Sequence, residues 1–195
     1  MNRTLRLLLV VFAGVSLMGS FCEKVPLREW ERGDFKPIGG REYSLPDGVE
    51  EGIIIGWDDE IPSSFLPLSM TLFNTTPERK TGIMPAGLVF SPGNSYYQYM
   101  ILVQEFPFTV PPSGDTILLL PTYCCNEDLD EPDDESIYYM DIQVWEQELN
   151  EFFEILEGKS LVGDDPVDIV QEALFEITDY EGLSDTTKAL LESLP

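Results

Sequence analysis

The stretch Met84–Asn126, MPAGLVFSPGNSYYQYMILVQEFPFTVPPSGDTILLLPTYCCN, constrains the fold more than any other part of the chain. Three apolar runs of strand length, Gly87–Phe90, Tyr97–Val103 and Thr116–Leu120, are separated by clusters of Pro, Gly, Asn and Ser. Such clusters reverse the chain, because proline fixes φ and glycine and asparagine reach positive φ at little cost. Short apolar runs punctuated in this way read as antiparallel strands.

Further strands are expected on both sides. Arg41–Leu45 is one candidate, and Gly52–Trp57, with three successive isoleucines, is a better one because β-branched side chains suit a pleated surface. Leu66–Asn74 alternates Leu68, Met70 and Leu72 against Ser69, Thr71 and Phe73, the pattern of a half-buried strand. It stops at Asn74-Thr75-Thr76-Pro77, formally a glycosylation acceptor but read here as a turn. Tyr97–Val103 is apolar on both faces, as a central strand would be, and Phe106–Val110 adds another before the turn at 111–115. The fold expected over 41–126 is an immunoglobulin-like antiparallel β-sandwich, with helices docked on it.

The chain changes character after Cys125. Residues 127–135 hold Asp or Glu at seven of nine positions, which predicts a solvated acidic loop. Over 136–195 a helical C-terminal part of the same domain is expected, two or three helices in all. The apolar period turns helical from Ile142, through Trp145, Leu149, Phe152, Phe153 and Leu156, and Gly158 would close that helix. Asp165-Pro166 reads as an N-cap followed by proline at the first helical position, and Ser184 as the cap of a last short helix.

Residues 1–21 carry Arg3 and Arg6 ahead of an apolar run, Leu7–Met18, the form of an export signal that is too short to span a bilayer. Cleavage near Ser16 or Ser20 would release a soluble product. Leu17–Lys24 also resembles a bacterial lipoprotein signal, which would lipidate Cys22 and anchor the protein to the envelope, although Phe21 stands where that signal has a small residue. Without a lipid, Cys22 is available for a disulfide. Residues 22–40, with Pro26, Gly33, Pro37 and Gly39-Gly40, read as a linker or tether in which only Trp30 and Phe35 offer packing surface. The expected location is extracytoplasmic, secreted or lipid-anchored.

Charge and composition remove several functions. The net charge is −25, and no Lys or Arg occurs between Thr81 and Gly158. Nucleic acid and anionic lipid are thus poor partners, since both are bound by basic side chains that displace counterions. A cation or a basic protein surface suits this charge, and solubility alone also explains it. The chain has no histidine, which removes Ser-His-Asp and Cys-His nucleophiles and histidine-ligated zinc. Carboxylate chemistry is what remains, with Glu105, Asp115 and Asp141 available but no spacing that singles out a pair.

Local features supply three candidate sites. Strand alternation would point Cys124 and Cys125 to opposite faces, giving one buried and one exposed thiol, or a bond to Cys22. The acidic loop, with Asp128, Asp130, Asp133, Asp134 and Glu135, is a candidate Ca²⁺ site, because hard cations take carboxylate oxygens. It lacks EF-hand order, with Pro132 where the third ligand belongs, and Asp58-Asp59-Glu60 is a weaker second cluster. Tyr96, Tyr97, Tyr99, Tyr138 and Tyr139 form a candidate aromatic binding patch or, alternatively, core and cross-strand pairs.

The segments PAGLVFSPGNSYYQYMILVQ (85–104), LPTYCCN (120–126) and IVQEALFEITD (169–179), in that order, resemble a loosely defined family of secreted bacterial β-sandwich proteins of unknown function. The family pattern has a single Cys where this chain has Cys124-Cys125, and usually Trp in place of Phe175. The resemblance implies an extracytoplasmic sandwich and no particular activity. The expected function is a non-enzymatic exported or envelope-anchored module that binds a protein, glycan or cation. A carboxylate-dependent, glycosidase-like hydrolase and an adhesive subunit assembling through strand edges are the alternatives.

Overall fold

A computed structural model of the protein describes residues 33–195. Among them the strands are β1 (Gly40–Glu42), β2 (Val49–Gly56), β3 (Leu68–Asn74), β4 (Lys80–Met84), β5 (Leu88–Pro92), β6 (Met100–Leu102), β7 (Phe106–Val110), β8 (Asp115–Leu120), β9 (Thr122–Cys124) and β10 (Ile137–Val144). The helices α1 (Gln147–Leu156), α2 (Asp164–Thr178) and α3 (Asp185–Ser193) follow.

The larger sheet has the order β8-β3-β2-β10-β5-β6-β9, with β1 alongside β10, and all its pairs are antiparallel. Strands β8 and β9 are one stretch of chain interrupted only at Pro121. Because β8 pairs with β3 at one end of that order and β9 with β6 at the other, the sheet nearly closes into a barrel. Proline brings no N–H to a ladder, so the change of partner falls where the chain has no donor to lose. Thr122 bridges the seam: its carbonyl accepts from the Leu66 N–H (3.3 Å) and the Ser64 hydroxyl (2.9 Å), and its own hydroxyl donates to the Leu66 carbonyl (2.5 Å).

Alternation along the strands builds two cores. Inward-facing Ile54, Leu68, Met70, Leu72, Phe90, Met100 and Tyr138 fill the interior, and a separate β4–β7 ribbon adds Met84, Phe108 and Val110 to it. Val89, Ile101 and Tyr123 face the other way, where Leu149, Phe152 and Leu156 of α1 and Val170, Leu174 and Ile177 of α2 cover them. Each such side chain stabilises the fold by about 1.5–3 kcal/mol when fully buried, so neither layer is dispensable. Phe35, in the arm that precedes β1, is completely buried in this second core, edge-on to Tyr99 at 6.0 Å.

The mainly antiparallel β fold with C-terminal helices docked on it is as the sequence indicates. Its form is one nearly closed sheet plus a ribbon, and the strand order does not resolve into the two facing sheets of an immunoglobulin-like sandwich. The helical period assigned from Ile142 belongs in its first part to β10, and α1 starts at Gln147 with the Glu146 carboxylate accepting from the Leu149 N–H at 3.2 Å. Ile142, Val144 and Trp145 are interrupted only by Gln143, with no turn residue among them, so periodicity alone does not mark where strand ends and helix begins. α2 begins earlier than its expected cap: Gly163, at φ +109°, precedes it, and Pro166 takes the third helical position, where its missing N–H would have found no intrahelical acceptor anyway. Ser184 does cap α3, accepting from the Thr187 N–H at 3.2 Å. Asn74 is the buried last residue of β3, and its side chain fixes the turn that follows: Oδ1 accepts from the Thr76 N–H (3.0 Å) while Nδ2 donates to the Glu78 (2.6 Å) and Pro111 (2.9 Å) carbonyls. The leader, Trp30 and Cys22 lie outside the described residues.

Candidate functional site

The acidic segment is exposed along most of its length, as its composition predicts, but it is not a free loop. Its backbone is tied to the β5–β6 connection, with the Asp130 N–H donating to the Tyr96 carbonyl (2.9 Å) and the Gln98 N–H to the Asp130 carbonyl (3.0 Å). The Gln98 side chain, itself buried, donates to the Leu129 carbonyl (3.0 Å) and accepts from the Asn126 N–H (3.4 Å). The Tyr138 hydroxyl donates to the Gln98 carbonyl (3.1 Å), so this anchor reaches into the barrel core. Gly56 lies directly beneath the loop, where a Cβ would come within 2.3 Å of the Asp133 carbonyl oxygen. Charge repulsion among seven acidic residues is thus overcome by backbone hydrogen bonds that the acidic side chains do not need to make.

The candidate cation ligands do not gather into a metal-holding group. Asp128, Asp130, Asp134 and Glu135 are exposed, whereas Asp133 is half-buried and accepts from the Tyr97 hydroxyl at 3.1 Å and the Glu135 N–H at 3.2 Å. That bond to Asp133, reinforced by burial and the surrounding carboxylates, holds the Tyr97 phenol above its ordinary pKa. Among the described residues, no group of three or more Cys, Asp or Glu side chains is placed to hold a metal ion, so Ca²⁺ at this loop gains no geometric support. Asp58, Asp59 and Glu60 are exposed on the β2–β3 connection.

Cys124 and Cys125 do face opposite sides of the sheet, one in each core, but both are fully buried and both are free thiols. The expectation of one exposed thiol fails because the helices cover the outer face at this strand. Burial pushes both thiols well above the ordinary value of 9.0 and away from the reactive thiolate form. Gln171, on the buried side of α2, accepts from the Cys124 N–H (2.9 Å) and donates to the Cys124 carbonyl (2.9 Å). A helix side chain thereby stands in for the strand that β9 lacks. A glutamine inside the apolar stripe of IVQEALF is the signal that could have revealed this clamp.

The carboxylates available for catalysis are scattered. Asp115 lies opposite Phe73 in the β3–β8 register, Asp141 accepts from the Ser91 hydroxyl, and Glu105 borders a groove of about 480 Å³ with Glu154 and Glu157. The amine bordering that groove, Lys159, is occupied by the Glu192 and Leu194 carbonyls, both at 2.8 Å. The structure thus brings together no acid–base pair from these residues.

What the structure does assemble is a surface. The half of the outer sheet face formed by β5, β6 and β9 lies under the helices, whereas the half formed by β10, β2, β3 and β8 leaves several large apolar side chains exposed. Ile53, Phe73, Ile117, Ile137 and Tyr139 are all exposed on it, Ile117 to 65%. The register sets Ile137, Ile55, Ser69 and Leu119 in one row across the four strands, and Thr71 beside Ile117 in the next. Phe73 sits between Glu50 and Asp115, its ring over Gly52, where a Cβ would meet it at 2.7 Å. Tyr139, 58% exposed, and Tyr96, 71% exposed, border the turn at Gly93, next to the acidic loop. Of the tyrosine patch, these two remain for contact, while Tyr138 is core and Tyr97 and Tyr99 are half-buried. Apart from the tyrosines, sequence reading missed this surface, although strands apolar on both faces with no second covering element were its signal.

No protein-family model, no curated protein and no solved structure matches the chain.

Proposed function

We propose that the protein is a non-enzymatic binding module acting outside the cytoplasm, and that the bare half of its sheet is the contact surface. The observation that carries this reading is the gathering of Ile53, Phe73, Ile117, Ile137 and Tyr139 on one uncovered face, while the other half of the same face is buried under helices. The largest exposed apolar patch of a soluble protein, above all one rimmed by polar residues, is often a contact site. The thiols are deeply buried, and the groove carboxylates Glu105, Glu154 and Glu157 are all exposed, which gives a hydrolase less support. The export-like leader and Cys22 motivate the extracytoplasmic setting, as secreted protein or lipid-anchored lipoprotein.

A photo-reactive side chain placed at Ile117, or at Tyr139, in the producing cell tests this directly. Discrete adducts are expected from those positions and none from Glu172, which is exposed on α2. Absence of face-specific adducts, together with polysaccharide hydrolysis by the purified chain, would replace this reading with the hydrolase.

A further inference from the structure

The bare face has a charge environment as well as an apolar centre. The strands β2, β3, β8 and β10 carry no Lys or Arg at all, whereas Glu50 and Asp115 stand in the same row as outward-facing Phe73 and Asp141 lies on β10. Phe73 is flanked on both neighbouring strands by a carboxylate, Glu50 on one side and Asp115 on the other. At the opposite border, exposed Asp134 and Glu135 lie three and two residues before Ile137. The apolar rows are therefore bounded by negative charge at both ends.

Four strands about 4.8 Å apart and roughly five residues of 3.3 Å rise give the apolar centre an area on the order of 300 Å². A stable protein–protein interface buries about 800 Å² on each partner, so the centre alone is too small and the acidic border must lie inside the contact. That requirement decides between occupants. In a pair of identical copies the carboxylate border of one would meet that of the other, in a chain of net charge −25, and like charges facing each other in a contact oppose it. Three of the five exposed apolar side chains, Ile53, Ile117 and Ile137, are aliphatic and suit an apolar protein surface.

We infer that the face formed by β10, β2, β3 and β8 docks a basic protein partner, one presenting an apolar patch edged by Lys and Arg. This rests on the binding-module reading and adds the chemistry of its partner. The phenyl ring of Phe73 between two carboxylates is suited to the methylene stem of a lysine or to a guanidinium plane, each of which joins apolar surface to positive charge.

The probes are two amphipathic helical peptides with the same leucine face, one edged with lysine and one with glutamate, titrated against the full chain at low and high salt. The lysine peptide is expected to bind and to weaken as salt rises, the glutamate peptide to bind far more weakly. Ile117→Ser combined with Tyr139→Ser, both at exposed positions, should weaken the lysine peptide by at least about tenfold. Glu154→Gln on α1, away from the face, should leave it unchanged. Equal loss-free binding by the double variant would overturn the inference, because attraction to net charge would then suffice. Equal, face-dependent binding of both peptides would overturn the partner's chemistry while leaving the contact surface standing. A concentration-dependent dimer abolished by Ile117→Ser would make the occupant a second copy and overturn it too.

Discussion

At the scale of single residues, Gln171 and the two cysteines make the sharpest claims. Gln171 satisfies both main-chain groups of Cys124 inside a dry contact between α2 and β9. Gln171→Leu keeps the volume but leaves a buried donor and acceptor unpaired, so it should cost about 2–5 kcal/mol, read as a lower urea midpoint at constant slope. The buried thiols and phenols give a second expectation. Burial raises Cys124, Cys125, Tyr123 and Tyr138 in the folded state, so above the ordinary thiol value of 9.0 the unfolded chain gives up protons that the folded one keeps. Stability tied to these groups is intact below about pH 8.5 and falls as pH rises, by up to about 1.4 kcal/mol per group per pH unit. Urea midpoints at rising pH, with thiol labelling that appears only on unfolding, check both points. That the thiols face opposite ways was legible from their adjacency in a strand. That both are buried was not, because it depends on helices some fifty residues further along the chain, α2 among them, being laid over one of those faces.

Elements were legible wherever one face alone was apolar. β3 alternates cleanly because its inner residues Leu68, Met70 and Leu72 fill the barrel while Phe73 faces out. β10 was not legible as a strand, since Ile137–Val144 runs without a turn signal toward α1 and has apolar residues on both faces. Thr116–Leu120, the most apolar strand by sequence, stands at one end of the strand order with Ile117 exposed, the reverse of what its composition suggests. The acidic loop depends on Gly56 as much as on its own residues. Gly56→Ala would drive a methyl group into the Asp133 backbone and should cost about 1–3 kcal/mol, with faster hydrogen exchange confined to residues near 130–136. Unchanged exchange in that loop would show that it does not rest on β2. The helical layer answers to a different residue: Phe152→Ala should remove about 3–5 kcal/mol, because the ring is fully buried between α1 and the sheet.

For the molecule as a whole, charge sets the response to solvent. Burial holds Glu51 and Asp179 above the usual carboxylate values in the folded state, although each is partly offset by hydrogen bonds from backbone or, for Asp179, the Thr178 hydroxyl. A carboxylate raised on folding binds its proton at a pH where the unfolded chain has not, so stability increases as pH falls from neutrality toward that raised value. Lower net charge works in the same direction. The urea midpoint is therefore expected to be higher near pH 5.5 than at pH 7.5, and salt should raise it at pH 7.5 by screening repulsion. A midpoint that drops between pH 7.5 and 5.5 would count against both arguments.

The position of β10 has a consequence for how the chain is made. It lies between β2 and β5, so strands that leave the ribosome early acquire their middle neighbour only after residue 144 has been synthesised. A nascent chain that ends anywhere before that point has β2 without β10 at its side, β5 likewise, and a ring that cannot close. Closing the ring is thus a late step, and the contacts distant in sequence that it requires are slow to form.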